Sequence, residues 1–178
     1  MAAMAVHRTQ PTSRIILGID PGLSMTGWGV ISGDQSRLSL ISYGCIRTKP
    51  SQPLVDRLME IHRTIRTLIQ THHPDTVAIE ELFFSKEART IAAVGHSRGT
   101  ILTAIALENT SVCEYNPRQV KMALTGYGSA DKNQIQQMVK ILLRLKEIPK
   151  PDDAADALAM AICHVHSQKF KTLCGASA

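Results

Sequence analysis

Aromatic side chains are scarce in this 178-residue chain, at 4% of the total, so its core has to be built from aliphatic residues. Long hydrophobic runs are missing too. None approaches the roughly 18 residues that suggest a membrane span. The four cysteines, Cys45, Cys113, Cys163 and Cys174, lie far apart and form no C-x-x-C pair. A zinc site therefore has no support, and without an export signal the thiols are expected to be reduced. The first residues, Met1 to Ser13, lack the apolar centre and cleavage signature of a signal peptide. These absences place the protein in the cytoplasm. Residues 1–13 are read as a disordered extension, 14–168 as one domain and 169–178 as a flexible tail. No internal repeat and no low-complexity tract is present.

A net negative charge is also absent. Twenty Lys and Arg stand against fifteen Asp and Glu, a balance of +5. Solubility alone accounts for such a value, but it also suits a partner that is a polyanion. If several of the acids gather in one pocket, the remaining surface is more strongly basic still. The hydrophobic content of 44% fits a folded chain.

The run Ile15-Ile16-Leu17-Gly18-Ile19-Asp20-Pro21-Gly22 organises what is there. Four large aliphatic residues read as a strand buried on both faces, and Pro-Gly ends it in a turn. Asp20 then stands at the strand exit, where a carboxylate is costly unless something pairs with it. Thr26 to Ile31 and Leu38 to Cys45 read as two more strands, joined by short connections into an antiparallel meander. From Leu54 the period changes to that of an amphipathic helix through Ile69, with Arg57, Arg63 and Arg66 on its outer face. His73-Pro74-Asp75 stops it. Thr76 to Glu80 is a fourth strand. A long helix then runs to about Glu108, and Ser111 to Tyr115 is a fifth strand. Asn116-Pro117 opens a short helix with Asn116 as its cap. Ser129 is expected to cap the next helix, and the last runs from about Asp152 to His166. The strand–helix–strand crossovers put the fourth and fifth strands parallel to a neighbour. The fold class is α/β, a mixed five-stranded sheet flanked by helices.

In such sheets ligands lie at the carboxyl ends of parallel strands. Asp20 and Glu80 both stand at such ends, although Glu81 next to Glu80 leaves the choice of carboxylate open. Asp153 and Asp156 share one face of the last helix. Asp152 can serve as its N-cap. Ala154, Ala155, Ala157 and Ala159 let this helix lie close to the sheet, bringing its two acids toward Asp20 and Glu80. Each acid alone is explained as a turn, cap or dipole residue. Together they form a cluster that repels itself without cations. Hard oxygen donors, with no cysteine or paired histidine, point to Mg²⁺ or Mn²⁺. Two such ions about 4 Å apart form a phosphodiesterase centre.

These residues carry a resemblance. The matching runs are Ile16 to Gly22, Gly44 to Thr48, Ala78-Ile79-Glu80, Tyr115 to Lys121, Gly126 to Lys132 and Asp153 to Ala159. In order, they resemble the RuvC-type Holliday-junction resolvases of the RNase H-like superfamily, from about Arg14 to His166. The resemblance implies a metal-dependent endonuclease that nicks two like strands across a four-way DNA junction. It places the catalytic, metal-binding carboxylates on Asp20, Glu80, Asp153 and Asp156, with two Mg²⁺ per site, and so favours Glu80 over Glu81. It implies that Phe83 stacks on junction bases and that Arg118, Lys121 and Lys132 contact DNA. It also implies a homodimer formed through the helix from Ile91 to Ile105, and the RuvA–RuvB branch-migration complex as a partner. Two other classes are weighed against it. An Asp-x-Gly turn also opens phosphate loops in actin-like phosphotransferases, but those need a second lobe that 178 residues do not supply. A junction-binding module that does not cut gains nothing from acids facing phosphate.

Overall fold

Alternation along the first strand decides the layers. In the computed structural model, β1 (Arg14–Asp20) sends Ile16 to one side of the sheet and Leu17 and Ile19 to the other, all fully buried. Side chains are described for residues 13–34, 36–81 and 91–167, and the helical backbone alone for 88–90 and 168–173. The remaining elements are β2 (Met25–Gly33), β3 (Leu38–Arg47), α1 (Leu54–His72), β4 (Thr76–Glu80), α2 (Ala88–Leu107), β5 (Ser111–Tyr115), α3 (Pro117–Thr125), α4 (Lys132–Leu142) and α5 (Asp152–Leu173). The strands form one sheet in the order β3-β2-β1-β4-β5. The first three are antiparallel, and β4 and β5 run parallel to β1. This is the mixed sheet expected, and β1 lies at its centre because its residues are apolar on both faces.

Each face has its own core. On one, Ile16, Ile31, Ala78 and Tyr115 pack against Val120 and Leu124 of α3, Ile135 and Val139 of α4, and Leu158 and Ile162 of α5. On the other, Leu17, Ile19, Val30, Val77 and Ile79 pack against Ile61 and Ile65 of α1 and Ile101 and Ile105 of α2. Helix α1 ends where His73 takes a left-handed conformation and donates its N–H to Ile69. Asp75, two residues on, accepts the Ile15 N–H at 2.7 Å. That bond ties the start of β4 to the start of β1 and sets the parallel pair in register. Among the described residues, no helix is long and apolar enough to cross a membrane.

Several boundaries differ from the sequence reading. Strands β2 and β3 extend to Gly33 and Arg47, and α5 continues to Leu173 rather than ending at His166. The cap of α4 is Asp131, not Ser129. Asp131 and Gln134 form a reciprocal capping box, each side chain bonded to the other's backbone N–H. Arg57 is not on the outer face of α1. It is buried, with Nε donating to Thr48 Oγ1 at 2.8 Å and Nη2 to Ser24 Oγ at 2.9 Å. Thr48 in turn donates its hydroxyl to the Leu23 carbonyl at 2.6 Å. Arg57 thereby latches the turn that follows Asp20 onto α1 and the end of β3. The thiols of Cys45, Cys113 and Cys163 are free, and Cys174 lies outside the described residues.

Candidate active site

The β1–β4 ladder runs in register to Ile19 and Ile79, so the next residues, Asp20 and Glu80, end neighbouring parallel strands. Both share parity with the face that α5 covers, since Gly18 and Ala78 precede them by two. Glu81 carries its backbone on to β5, where its N–H donates to Tyr115 at 2.9 Å. The pleat therefore separates the two glutamates and turns Glu80 toward Asp20.

Helix α5 completes the site because the sheet is bare beneath it. A Cβ on Gly18 would stand 1.9 Å from the Ala157 carbonyl, and one on Gly29 2.5 Å from the Leu158 side chain. Glycines on the strands and Ala154, Ala155, Ala157 and Ala161 on the helix, all fully buried, let backbone meet backbone. The first turn of α5 is thus held over the strand exits. Asp20, Glu80 and Asp156 line a single cleft of about 250 Å³ with Lys121, Lys132 and Pro117. Asp153 is not part of that lining. Its backbone packs on Gly27, and its charge is felt by Asp20 and by Cys45. Burial and then Asp153 push the Cys45 thiol up to about 11.

The cleft is short of positive charge for the acids it holds. Burial pushes Asp20 up to about 8, reinforced by Glu80, Asp156 and Asp153 and only partly opposed by Lys132. Glu80 is raised by burial and then by Asp156. Asp156 is also raised by burial, although Lys132 Nζ stands 3.2 Å from its Oδ2. For Lys132 the balance runs the other way. Burial lowers it, but Asp156 and Asp152 outweigh that and raise it. Both partners of one ion pair therefore move upward, the aspartate because its burial outweighs the lysine and the lysine because two aspartates outweigh its burial.

Of the basic residues expected at DNA, Lys121 and Lys132 line the cleft and Arg118 does not. The Arg118 side chain lies along Gly128, in the loop between α3 and α4. Phe83 falls outside the described residues. Asp152 is the first residue of α5 rather than its cap, and pairs with Lys132 and Lys150 at 3.4 Å each. His164 is buried in the core, with Nδ1 2.9 Å from the Tyr115 hydroxyl. One residue escaped the sequence reading. Arg98 of α2 donates Nε to the backbone carbonyl of Glu80 at 3.1 Å. Its position three before buried Ile101 was the available signal.

The donor chemistry fits a divalent cation. Three hard-oxygen side chains face one cleft, partly buried, with their charges unbalanced. As they stand, no three acidic, histidine or cysteine side chains among the described residues converge closely enough to hold an ion. A lysine reaches into the gap between Asp152 and Asp156.

Comparison with known proteins agrees with this geometry. The family described as crossover junction endodeoxyribonuclease RuvC matches residues 16–164. A crossover junction endodeoxyribonuclease RuvC from Endomicrobium trichonymphae is 56% identical over 154 residues, 86% of this chain and 81% of that protein. One from Desulforamulus reducens is 57% identical over 150 residues, covering 84% and 92%. Among solved structures, Thermus thermophilus RuvC in complex with a Holliday junction substrate superposes with a TM-score of 0.86 at 34% identity, covering 89% of this chain and 97% of that one. The chain belongs to the RuvC family of crossover junction endodeoxyribonucleases.

Proposed function

We propose that this chain resolves four-way DNA junctions by nicking two like strands, hydrolysing one phosphodiester bond in each. The observation that carries the reading is the cleft itself. Asp20, Glu80 and Asp156, from two strand ends and a helix start, line it together with two lysines. An acidic centre rimmed by cations suits a phosphate backbone that must be held and attacked at once.

Asp20, Glu80 and Asp156 hold Mg²⁺ in this reading, with Asp153 completing the set from the β2 side and two ions per site. Mn²⁺ fits the same oxygens. A bound divalent ion supplies an activated water and offsets the charge that builds on phosphorus. The protein's own part is positional. The rigid ends of β1 and β4 fix two carboxylates, and the backbone of Asp153, packed on Gly27, seats the start of α5 beside them. Lys132, already beside Asp156, and Lys121, which also lines the cleft, orient the scissile phosphate. Arg118 holds backbone phosphate further out, and Phe83 stacks on a junction base.

The chain acts as a homodimer through α2, placing two clefts about a twofold axis to match a near-twofold junction. Junctions reach it through the RuvA–RuvB complex, in the cytoplasm. The test is a synthetic four-way junction and a linear duplex of the same sequence, each with Mg²⁺. Symmetric nicks in the junction and an intact duplex support the reading; indiscriminate cutting, or none, refutes it.

A further inference from the structure

The β1–β4 ladder stops at Ile19 and Ile79, one residue short of both carboxylates. Asp20 remains paired on its other side, opposite Gly27. Glu80 stands opposite Tyr115, and its carbonyl is held from a different layer. Arg98 donates Nε to that carbonyl at 3.1 Å and Nη2 to the Glu114 carboxylate. Glu114 is the partner of Ile79 on the β4–β5 ladder. The guanidinium therefore grips two adjacent strands at their exits, from the face opposite the cleft.

Arg98 occupies an apolar slot to do this. It precedes Ile101 and Ile105 on the inner stripe of α2, and its side chain is only 14% exposed. A cation is costly there unless its donors are satisfied. Its two partners engage Nε and Nη2 at fixed geometry, because the guanidinium fork is planar and rigid.

We infer that Arg98 is a positioning residue for the nuclease centre, fixing the Glu80 backbone so that its carboxylate is held toward Asp20. The inference rests on the junction-cutting reading of the cleft. It assigns α2 a second role, as the support beneath one metal-binding carboxylate. The competing account is a structural pin that contributes to folding alone.

The two accounts separate in the metal response. Arg98→Ala is expected to slow junction nicking about tenfold at saturating DNA, the usual effect of removing an outer support of a metal ligand. The Mg²⁺ concentration for half-maximal nicking should rise with it. Without nicking, the rise in melting temperature that Mg²⁺ or Mn²⁺ produces should shrink. Junction affinity in chelator should not change. Arg98→Lys, which keeps the charge but not the fork, should recover part of the loss. A lower melting temperature with unchanged nicking and an unchanged metal midpoint overturns the inference. Should Arg98→Ala fail to fold, Glu114→Gln loosens the grip from its other end. It should move the metal midpoint in the same direction by less, and an unmoved midpoint again overturns the inference. If the wild-type protein does not nick junctions, that reading fails by itself. The metal-induced melting shift then still decides the role of Arg98.

Discussion

The backbone carbonyl of Asp153 lies where a side chain on Gly27 would begin, 1.9 Å from an ideal Cβ. Gly27 is also the ladder partner of Asp20. The absence of one methyl group therefore sets the height of α5 above the carboxylate that ends β1. Gly27→Ala should raise that turn and separate Asp156 from Asp20. Forced packing of this kind costs about 1–3 kcal/mol. Thermal melting should show that loss. Nicking should fall further than the folded fraction does, because the cleft itself is opened.

Crowded carboxylates give the metal-free protein a pH signature. Asp20 titrates near 8 when folded against an ordinary value of 3.8, so the folded state holds its proton more tightly than the unfolded state. For a raised acid, stability is greatest below the unfolded pKa and falls as pH rises toward the folded one. In chelator, the melting temperature should decline between pH 4 and pH 8. Asp20→Asn should flatten that decline. A wild-type slope of the opposite sign in this window contradicts the burial of Asp20.

Lys132 bridges Asp152 and Asp156, but its side chain is more than half exposed. An exposed pair stabilises little, so Lys132→Ala should cost under about 1 kcal/mol on melting. Its effect on nicking should be far larger, about a hundredfold, if it orients the reacting phosphate. Asp152→Ala, which removes the outer partner, should leave nicking within about threefold. Equal losses for the two variants would place Asp152, not Asp156, at the centre.

Much of this was legible because apolar runs end in acids. Asp20 and Glu80 each close a buried strand, and alternation allows only one of Glu80 and Glu81 to face Asp20, a choice that the resemblance made for Glu80. The alanine-rich start of α5 announced its close approach. Asp153 and Asp156 were less separable. Three residues apart, they differ by roughly 60° around the helix, enough to put Asp156 in the cleft and Asp153 toward β2. Arg57 and Arg98 were not legible in their roles. Helical periodicity assigns an arginine to solvent, and their partners, Ser24, Thr48 and the Glu80 carbonyl, come from distant strands and turns. The Asp131 cap was readable, since Gln134 three residues later completes a capping box, but Ser129 two residues earlier is an equally good capping residue type.

The central claim is that Asp20 anchors a metal-dependent centre that cuts four-way junctions. The direct measurement compares wild type and Asp20→Asn on one labelled synthetic junction, scoring nicking and binding with Mg²⁺ and with chelator. Wild type should nick two like strands symmetrically with Mg²⁺ only, while Asp20→Asn binds the junction as well and nicks neither strand. Nicking by Asp20→Asn at the wild-type rate, or by wild type in chelator, would contradict the account.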